Sequence, residues 1–236
     1  MTKRFGFTLA EVLITLGIIG VVAAMSIPTL IANTNSAKFR SQFKKTVATL
    51  NQAALMGQAQ YDYDFAGATT ASTVSALDPK AVSSIAAMLS GTLAGVEIKA
   101  AADMKLADGT TAYSPTVNSL TVPTPLYARL ADGSIFAFNS AATNCTVAPG
   151  TDPKAAINTL NTAGCIGYID VNGTAMPNAE IRCKGNANAA LYKTGASDCQ
   201  VPNDAAHMKD IFTVVYHDGI VEPASNASRY VLSAAK

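Results

Sequence analysis

The chain has 236 residues, enough for one globular core and an additional element, and 49% of them are hydrophobic while only 14% are charged. This composition is unusually apolar and poor in charged residues for a soluble domain, and it indicates that part of the chain meets lipid. The 17 Lys and Arg residues almost balance the 16 Asp and Glu residues, so the overall charge does not favour a nucleic-acid partner.

The first element is a short basic leader. It runs from Met1 to Gly6 and carries Lys3 and Arg4. The leader is too short to fold by itself, and its last glycine directly precedes an apolar segment. We therefore interpret it as a protease recognition sequence that is cleaved after Gly6.

A long apolar segment follows, from residue 7 to residue 31. Its sequence is FTLAEVLITLGIIGVVAAMSIPTLI, in which Glu11 is the only charged residue. As a helix, about 25 residues can cross a bilayer core of about 30 Å. A Sec signal peptide is one alternative, but its apolar region would be shorter, whereas this segment continues past Ala23 and Ala24. A plain membrane anchor is the second alternative, but it gives no reason for Glu11, because an unpaired carboxylate in hydrocarbon costs several kcal/mol.

Cleavage after Gly6 would provide Glu11 with a partner. Phe7 would then carry a free α-amino group one helical turn before Glu11. If that amine meets the Glu11 carboxylate of an adjacent subunit, both charges are neutralised and the axial stagger between the subunits is fixed. We therefore expect Glu11 to direct subunit assembly.

Four residues of this region, Gly6, Phe7, Glu11 and Pro28, stand where type IV prepilins and type II secretion pseudopilins carry their processing and assembly residues. The chain resembles that family over residues 3–52. The resemblance implies that a prepilin peptidase cleaves after Gly6 and N-methylates Phe7, and that Glu11 serves assembly. It also implies homologous pilin subunits, an inner-membrane assembly platform and the lipid bilayer as partners. The head would lie outside the cytoplasm and later in an extracellular or periplasmic filament.

Pro28 removes one amide donor from the helix, so we expect a helix kink or local melting there. Beyond it, apolar residues recur at helical spacing and predict an amphipathic continuation to about residue 59. These apolar residues are Phe39, Phe43, Val47, Leu50 and Ala54. Four basic residues lie among them, which conflicts with the positive-inside rule for the implied orientation. They are Lys38, Arg40, Lys44 and Lys45.

The rest of the chain forms a head with its own short elements. Asp78-Pro79 has the form of an N-cap followed by proline and predicts a short helix that Gly91 ends. Apolar stretches around Asp132-Gly133 and Asp218-Gly219 predict two hairpins. The predicted strands cover residues 126–130, 134–138, 165–171, 211–216 and 220–222.

The predicted fold class is therefore α+β. A long N-terminal α-helix, hydrophobic in its first half and amphipathic in its second, packs against a globular head with an antiparallel β-sheet. The divisions are a leader at 1–6, a transmembrane and assembly helix at 7–60, and the head at 61–236. This layout resembles that of pilins.

Four cysteines lie in the second half of the chain, at Cys145, Cys165, Cys183 and Cys199. Their spacing matches no CxxC zinc or redox pattern, and their even number indicates two disulfides in a compartment outside the cytosol. Free buried thiols are the alternative. Three connectivities are possible, and proximity along the chain favours Cys145 with Cys165 and Cys183 with Cys199.

Three short pieces of the head, at 170–173, 177–178 and 210–212, resemble a stretch found in pseudopilin-like heads. The insertion 179–209 separates the last piece from the others, so we do not expect them to meet. Asp170, Asn172 and Asn178 could offer oxygen atoms to Ca²⁺, but a full site needs six to eight oxygens. A turn at Asn172-Gly173 is therefore favoured, and no cofactor is expected.

The sequence contains no GxSxG, HExxH, P-loop or GxGxxG motif. His207 and His217 have no evident nucleophile nearby in the chain. We therefore expect a structural subunit and not an enzyme. The alternatives are a membrane-anchored envelope enzyme and an adhesive or DNA-uptake minor pilin, for which the head offers no aromatic and basic patch.

Overall fold

The structure is a computed structural model that describes residues 8–185, 191 and 199–233. The predicted leader, with the processing residues Gly6 and Phe7, lies outside these described residues. The described chain forms one long helix and a head built around an antiparallel sheet, which confirms the predicted α+β fold class.

Helix α1 (Leu9–Tyr61) contains 53 residues and is about 80 Å long. Thr8 caps its first turn, and Asp62 ends it in a left-handed conformation with φ 64°. The helix continues through Pro28 without a break, so the backbone does not melt there in the single subunit. The expected kink at Pro28 stays a prediction.

The head contains the remaining α-helices and strands of the described residues, and a short 3-10 helix (Ala101–Asp103) follows its first strand. In chain order they are α2 (Ile85–Thr92), β1 (Glu97–Ala100), β2 (Pro125–Arg129), β3 (Ile135–Asn139), α3 (Pro153–Thr162), β4 (Ile166–Asp170), β5 (Ile211–His217), β6 (Ile220–Pro223) and α4 (Asn226–Ser233). The strands form one sheet whose order follows the chain from β1 to β6, and each strand is antiparallel to its neighbours.

Both predicted hairpins are confirmed. Strands β2 and β3 pair around the turn at Asp132-Gly133, and β5 and β6 pair around Asp218-Gly219. Strand β4 lies where the sequence predicted it and joins the two hairpins in the centre of the sheet. Strand β1 and helices α3 and α4 were not predicted from the sequence.

The helix predicted after Asp78-Pro79 is wrong in its bounds. Asp78 forms only a local turn, and α2 begins later, where the Ser84 hydroxyl accepts the backbone N–H of Ala87. Gly91 lies within α2 and does not end it. A Cβ at Gly91 would collide with Pro79 and Tyr61, so this glycine allows close packing.

The two faces of the sheet have separate apolar cores, because side chains alternate between the faces along each strand. One face packs against the second half of α1, where Phe43 stacks on Phe212 with ring centroids 4.2 Å apart. The other face carries a tyrosine-rich cluster that includes Tyr113, Tyr127 and Tyr168. The second half of α1 is thus part of the core of the head.

Two disulfides link Cys145 to Cys165 and Cys183 to Cys199, which is the predicted connectivity. The first is fully buried and ties the loop after β3 to the start of β4. The second closes the insertion between β4 and β5, much of which lies outside the described residues.

Candidate assembly helix and head motif

The first half of α1 carries apolar side chains that its own head does not cover. Leu9, Leu13 and Ile18 are 81%, 61% and 60% exposed, and an 18-residue window with mean hydropathy 2.2 contains no buried residue. Burial begins at Ser36 and then follows the predicted apolar stripe of α1. The uncovered half is long and apolar enough to cross a bilayer.

Glu11 lies in the first turn of this uncovered half. Its Oε2 accepts hydrogen bonds from the backbone N–H and the hydroxyl of Thr8 at 2.8 and 2.9 Å. The Thr8 hydroxyl in turn accepts the backbone N–H of Glu11 at 3.3 Å, which completes a capping box. The carboxylate is therefore held at the N-terminus of the helix, next to the chain end that cleavage after Gly6 would create.

The basic residues that follow the apolar half hold the head. The Arg40 guanidinium donates to the carbonyl oxygen of Val201 at 2.8 Å and to Asn203 Oδ1 at 3.0 Å, and it lies 5.9 Å from the ring centroid of Tyr230. Lys45 forms an ion pair with Asp132 at 2.9 Å. The conflict with the positive-inside rule is thereby weakened, because Arg40 and Lys45 contact their own head.

The three pieces of the head motif meet, contrary to the sequence-based expectation. Both carboxylate oxygens of Asp210 accept backbone N–H groups, from Asn178 and Ala179, each at 2.9 Å. The register of β4 and β5 places Asp170 opposite Ile211. The two described ends of the insertion therefore lie side by side, and its length along the chain does not separate the pieces in space.

Asp170 is the centre of the network that joins these pieces. Its side chain is fully buried and accepts the Tyr113 hydroxyl at 2.7 Å and the backbone N–H of Asn172 at 3.1 Å. With its amide nitrogen facing the loop, Asn178 also donates to Asp170 at 3.1 Å. Burial, followed by the nearby charge of Asp210, raises the pKa of Asp170 to about 8.

The candidate calcium ligands take part in hydrogen bonds, and the expectation of no bound cofactor stays a prediction. A Ca²⁺ site needs six to eight oxygen atoms directed at one point. Here the oxygens of Asp170 already accept hydrogen bonds, and the amide groups of Asn172 and Asn178 donate N–H groups to loop carbonyls. Within the described ranges, no group of three or more His, Cys, Asp or Glu residues is placed to hold a metal. Gly173 adopts φ 67°, as predicted for an Asn-Gly turn.

Residues 1–27 match the family model of the prokaryotic N-terminal methylation motif. This is the prepilin-type cleavage and methylation signal of type IV pilin and pseudopilin families, and the matched range includes Gly6, Phe7 and Glu11. No curated protein and no solved structure matches the chain. The prepilin-type motif, followed by the uncovered apolar half of α1, fits membrane anchoring.

The head contains a buried carboxylate that sequence reasoning missed. Glu180 is 1% exposed and accepts the backbone N–H groups of Asn118 and Ser119 at 2.7 and 2.9 Å. It also accepts the hydroxyls of Ser119 and Thr213. Burial raises the pKa of Glu180. No local pattern marks this residue, because its partners are distant in the chain.

Both histidines of the chain, His207 and His217, lie against carboxylates. His217 is 8% exposed and contacts Asp218 Oδ2 with Nδ1 at 2.8 Å and Glu222 Oε1 with Nε2 at 3.1 Å. The hydrogen bond to Glu222, assisted by Asp218, raises the pKa of His217 above its usual value. His207 contacts Asp204 at 2.8 Å.

The predicted site residues thus fall into two separate regions. The assembly region contains Glu11 and Pro28 on the uncovered half of α1, whereas the disulfides and the acidic network lie in the head. From Glu11 to the first buried position of α1, Ser36, the helix rises about 38 Å. The network in the head therefore lies far from Glu11 of the same subunit.

Proposed function

We propose that the chain is a structural subunit of a type IV pilus-like or type II secretion pseudopilus filament. A prepilin peptidase cleaves it after Gly6 and N-methylates Phe7. The observation that carries this proposal is the prepilin-type motif on residues 1–27, which leads directly into a half-helix whose apolar side chains its own head leaves uncovered.

The uncovered half of α1 has two uses in this proposal. Before assembly it anchors the subunit in the inner membrane with the head outside the cytoplasm, because its apolar side chains would be costly to expose to water. In the filament, the same surface packs against the α1 helices of other subunits. Homologous subunits and the inner-membrane assembly platform are therefore the proposed protein partners.

Glu11 directs the transfer from membrane to filament. Its capping box with Thr8 keeps the carboxylate at the helix terminus. The amine that cleavage creates on Phe7 of a neighbouring subunit pairs with this carboxylate, which neutralises both charges in an apolar surrounding. The subunit acts without catalysis or cofactor in this proposal, and the position of both ring nitrogens of His217 against carboxylates supports a structural use of that residue.

Mass spectrometry of the protein from its native membrane fraction tests the processing step. We expect a mature chain that begins at Phe7 and carries one added methyl group. Replacing Gly6 with Val should block cleavage and leave the chain beginning at Met1. A native chain that still begins at Met1, or one cut after Ala24, would contradict the proposal.

A Glu11→Ala variant tests the assembly step. We expect normal cleavage but few or no filaments in sheared surface or periplasmic fractions examined by electron microscopy. Glu97→Ala is a matched control, because Glu97 is also an exposed carboxylate but lies on β1 in the head. Filaments of normal yield from the Glu11→Ala variant would refute the pairing of Glu11 with a neighbouring amine.

A further inference from the structure

A groove opens where α1 leaves its apolar half and meets the head. It has a volume of ≈ 250 Å³ and lies between residues 32–39 of α1 and two loops of the head, around Met176 and Met208. Two lysines, Lys38 and Lys209, line it together with the amide side chains of Asn35 and Asn172. Within the described residues, its lining includes no acidic side chain.

The apolar half of α1 places this groove at the level of lipid head groups. From Glu11 to Ile31 the helix rises about 30 Å, which equals the thickness of a bilayer core. The head-group layer adds about 5 to 7 Å on each side, and this corresponds to the turn that follows Ile31. The groove begins at Ala32 and therefore borders this layer.

Two side chains of the groove, Met176 and Lys38, fit a position at the level of the lipid head groups. Met176 lines the groove and is 70% exposed, so its side chain is accessible to a membrane that borders the groove. Lys38 is exposed. Because side chains of a helix tilt toward its N-terminus, we expect the Lys38 ammonium to extend toward the lipid.

We propose that this groove binds the phosphate head group of an anionic phospholipid in the leaflet on which the head rests. Lys38 and Lys209 bind the phosphate, the Asn35 amide donates a hydrogen bond to one of its oxygens, and Met176 contacts the upper acyl chains. The bound lipid holds the head against the membrane before assembly. This inference rests on the membrane anchoring proposed above but requires neither cleavage nor filaments.

A tryptophan reporter tests the position of the groove, since the chain contains no tryptophan. The full chain with Met176→Trp is reconstituted in vesicles of equimolar phosphatidylcholine and phosphatidylglycerol with brominated acyl chains, which quench tryptophan on contact. Ile220→Trp is the matched control: Ile220 is also exposed (47%), and its neighbour Gly219 lies beside Leu55, about 36 Å along α1 from Ile31.

We expect strong quenching of the Met176→Trp reporter and little quenching of the Ile220→Trp reporter. Adding Lys38→Ala and Lys209→Ala to the first reporter should reduce its quenching, as should vesicles of phosphatidylcholine alone. Equal quenching of the two reporters, or quenching of the first that is independent of lipid charge, would overturn the proposal.

Native mass spectrometry of the full chain in detergent tests the ligand. We expect the Lys38→Ala/Lys209→Ala variant to bind phosphatidylglycerol about thirtyfold more weakly than the unaltered chain, and Lys38→Ala alone about fivefold more weakly. Lys80→Ala/Lys154→Ala removes the same charge from exposed lysines outside the groove and should retain the lipid.

Competition by inorganic phosphate separates a lipid site from a free-anion site. Displacement of phosphatidylglycerol by millimolar inorganic phosphate, or equal loss of lipid in the two double variants, would overturn the proposal. Because the purified chain is used whether or not it is cleaved, failure here leaves the processing and assembly tests unaffected. Failure of those tests likewise leaves the lipid measurement intact.

Discussion

The Asp210→Asn substitution tests whether the buried network holds the head together. Asp210 is fully buried, and each of its oxygens accepts a backbone N–H group at 2.9 Å. Asparagine keeps the shape of the Asp210 side chain but replaces one of its two acceptor oxygens with an NH₂ group. That NH₂ group would face a backbone N–H group, which is also a donor. A buried hydrogen bond to a charged group contributes about 1.5 to 3 kcal/mol, and an unpaired buried donor adds to its loss.

Relief of the repulsion between Asp210 and Asp170 offsets part of this cost, since the charge of Asp210 helps to raise the pKa of Asp170. We therefore expect a net loss of about 2 to 4 kcal/mol. For a chain of this size that corresponds to a fall in Tm of about 6 to 12 °C. This fall in Tm is measured by thermal unfolding of the full chain in detergent at neutral pH. The unfolding is followed by circular dichroism with the disulfides intact.

The chain provides a matched control in Asp108. It also accepts two successive backbone N–H groups, from Thr110 and Thr111 at 2.8 Å each, but it lies exposed in a surface turn. Asp108→Asn should therefore lower Tm by about 2 °C or less. If the two substitutions lower Tm equally, burial is not the reason that Asp210 matters and the argument fails.

Two further predictions concern the packing of α1 and the hairpin of β5 and β6. Phe43→Ala removes the ring that stacks on Phe212 and should lower the free energy of unfolding by about 3 to 5 kcal/mol, as measured by thermal unfolding. Leu55→Ala is the control, because Leu55 is 64% exposed and its loss should change Tm little. Equal effects of the two substitutions would contradict the packing of Phe43 on Phe212. The pKa of His217 is raised in the folded state, so the protonated imidazole stabilises the fold. This contribution to stability is fully present below about pH 6.5 and is lost as pH rises through the folded-state pKa. The difference in Tm between the unaltered chain and His217→Gln should therefore shrink from pH 6 to pH 9, and a constant difference would contradict this reading.

Helix α1 could be predicted from the sequence because the signals that mark it are local. The apolar segment, the single charge at Glu11 and the amphipathic stripe each lie within a few helical turns. Periodicity places Phe39 and Phe43 on one face of α1, and the structure buries both. The same holds for the hairpins, whose Asp-Gly turns are adjacent to the strands that they connect.

Helices of the head show where local signals fail. Asp152-Pro153 and Asp78-Pro79 have the same form of N-cap and proline, yet only the first begins a helix. After Asp152, Ile157 and Leu160 pack as an apolar face. After Asp78, the Tyr63 hydroxyl binds the carbonyl oxygen of Val82, and such tertiary contacts hold the segment out of the helix. Contacts of this kind connect distant parts of the chain and leave no local pattern.

The start of β5 connects the head network to the assembly helix. Three successive residues have three roles: Asp210 holds the loop at Asn178, Ile211 enters the tyrosine-rich core, and Phe212 stacks on Phe43 of α1. Because alternate residues of a strand point to opposite faces, a shift of β5 by one residue would break all three contacts together. The network at Asp210 thus sets the register of the strand on which α1 packs, although it lies far from Glu11 and the predicted cleavage site.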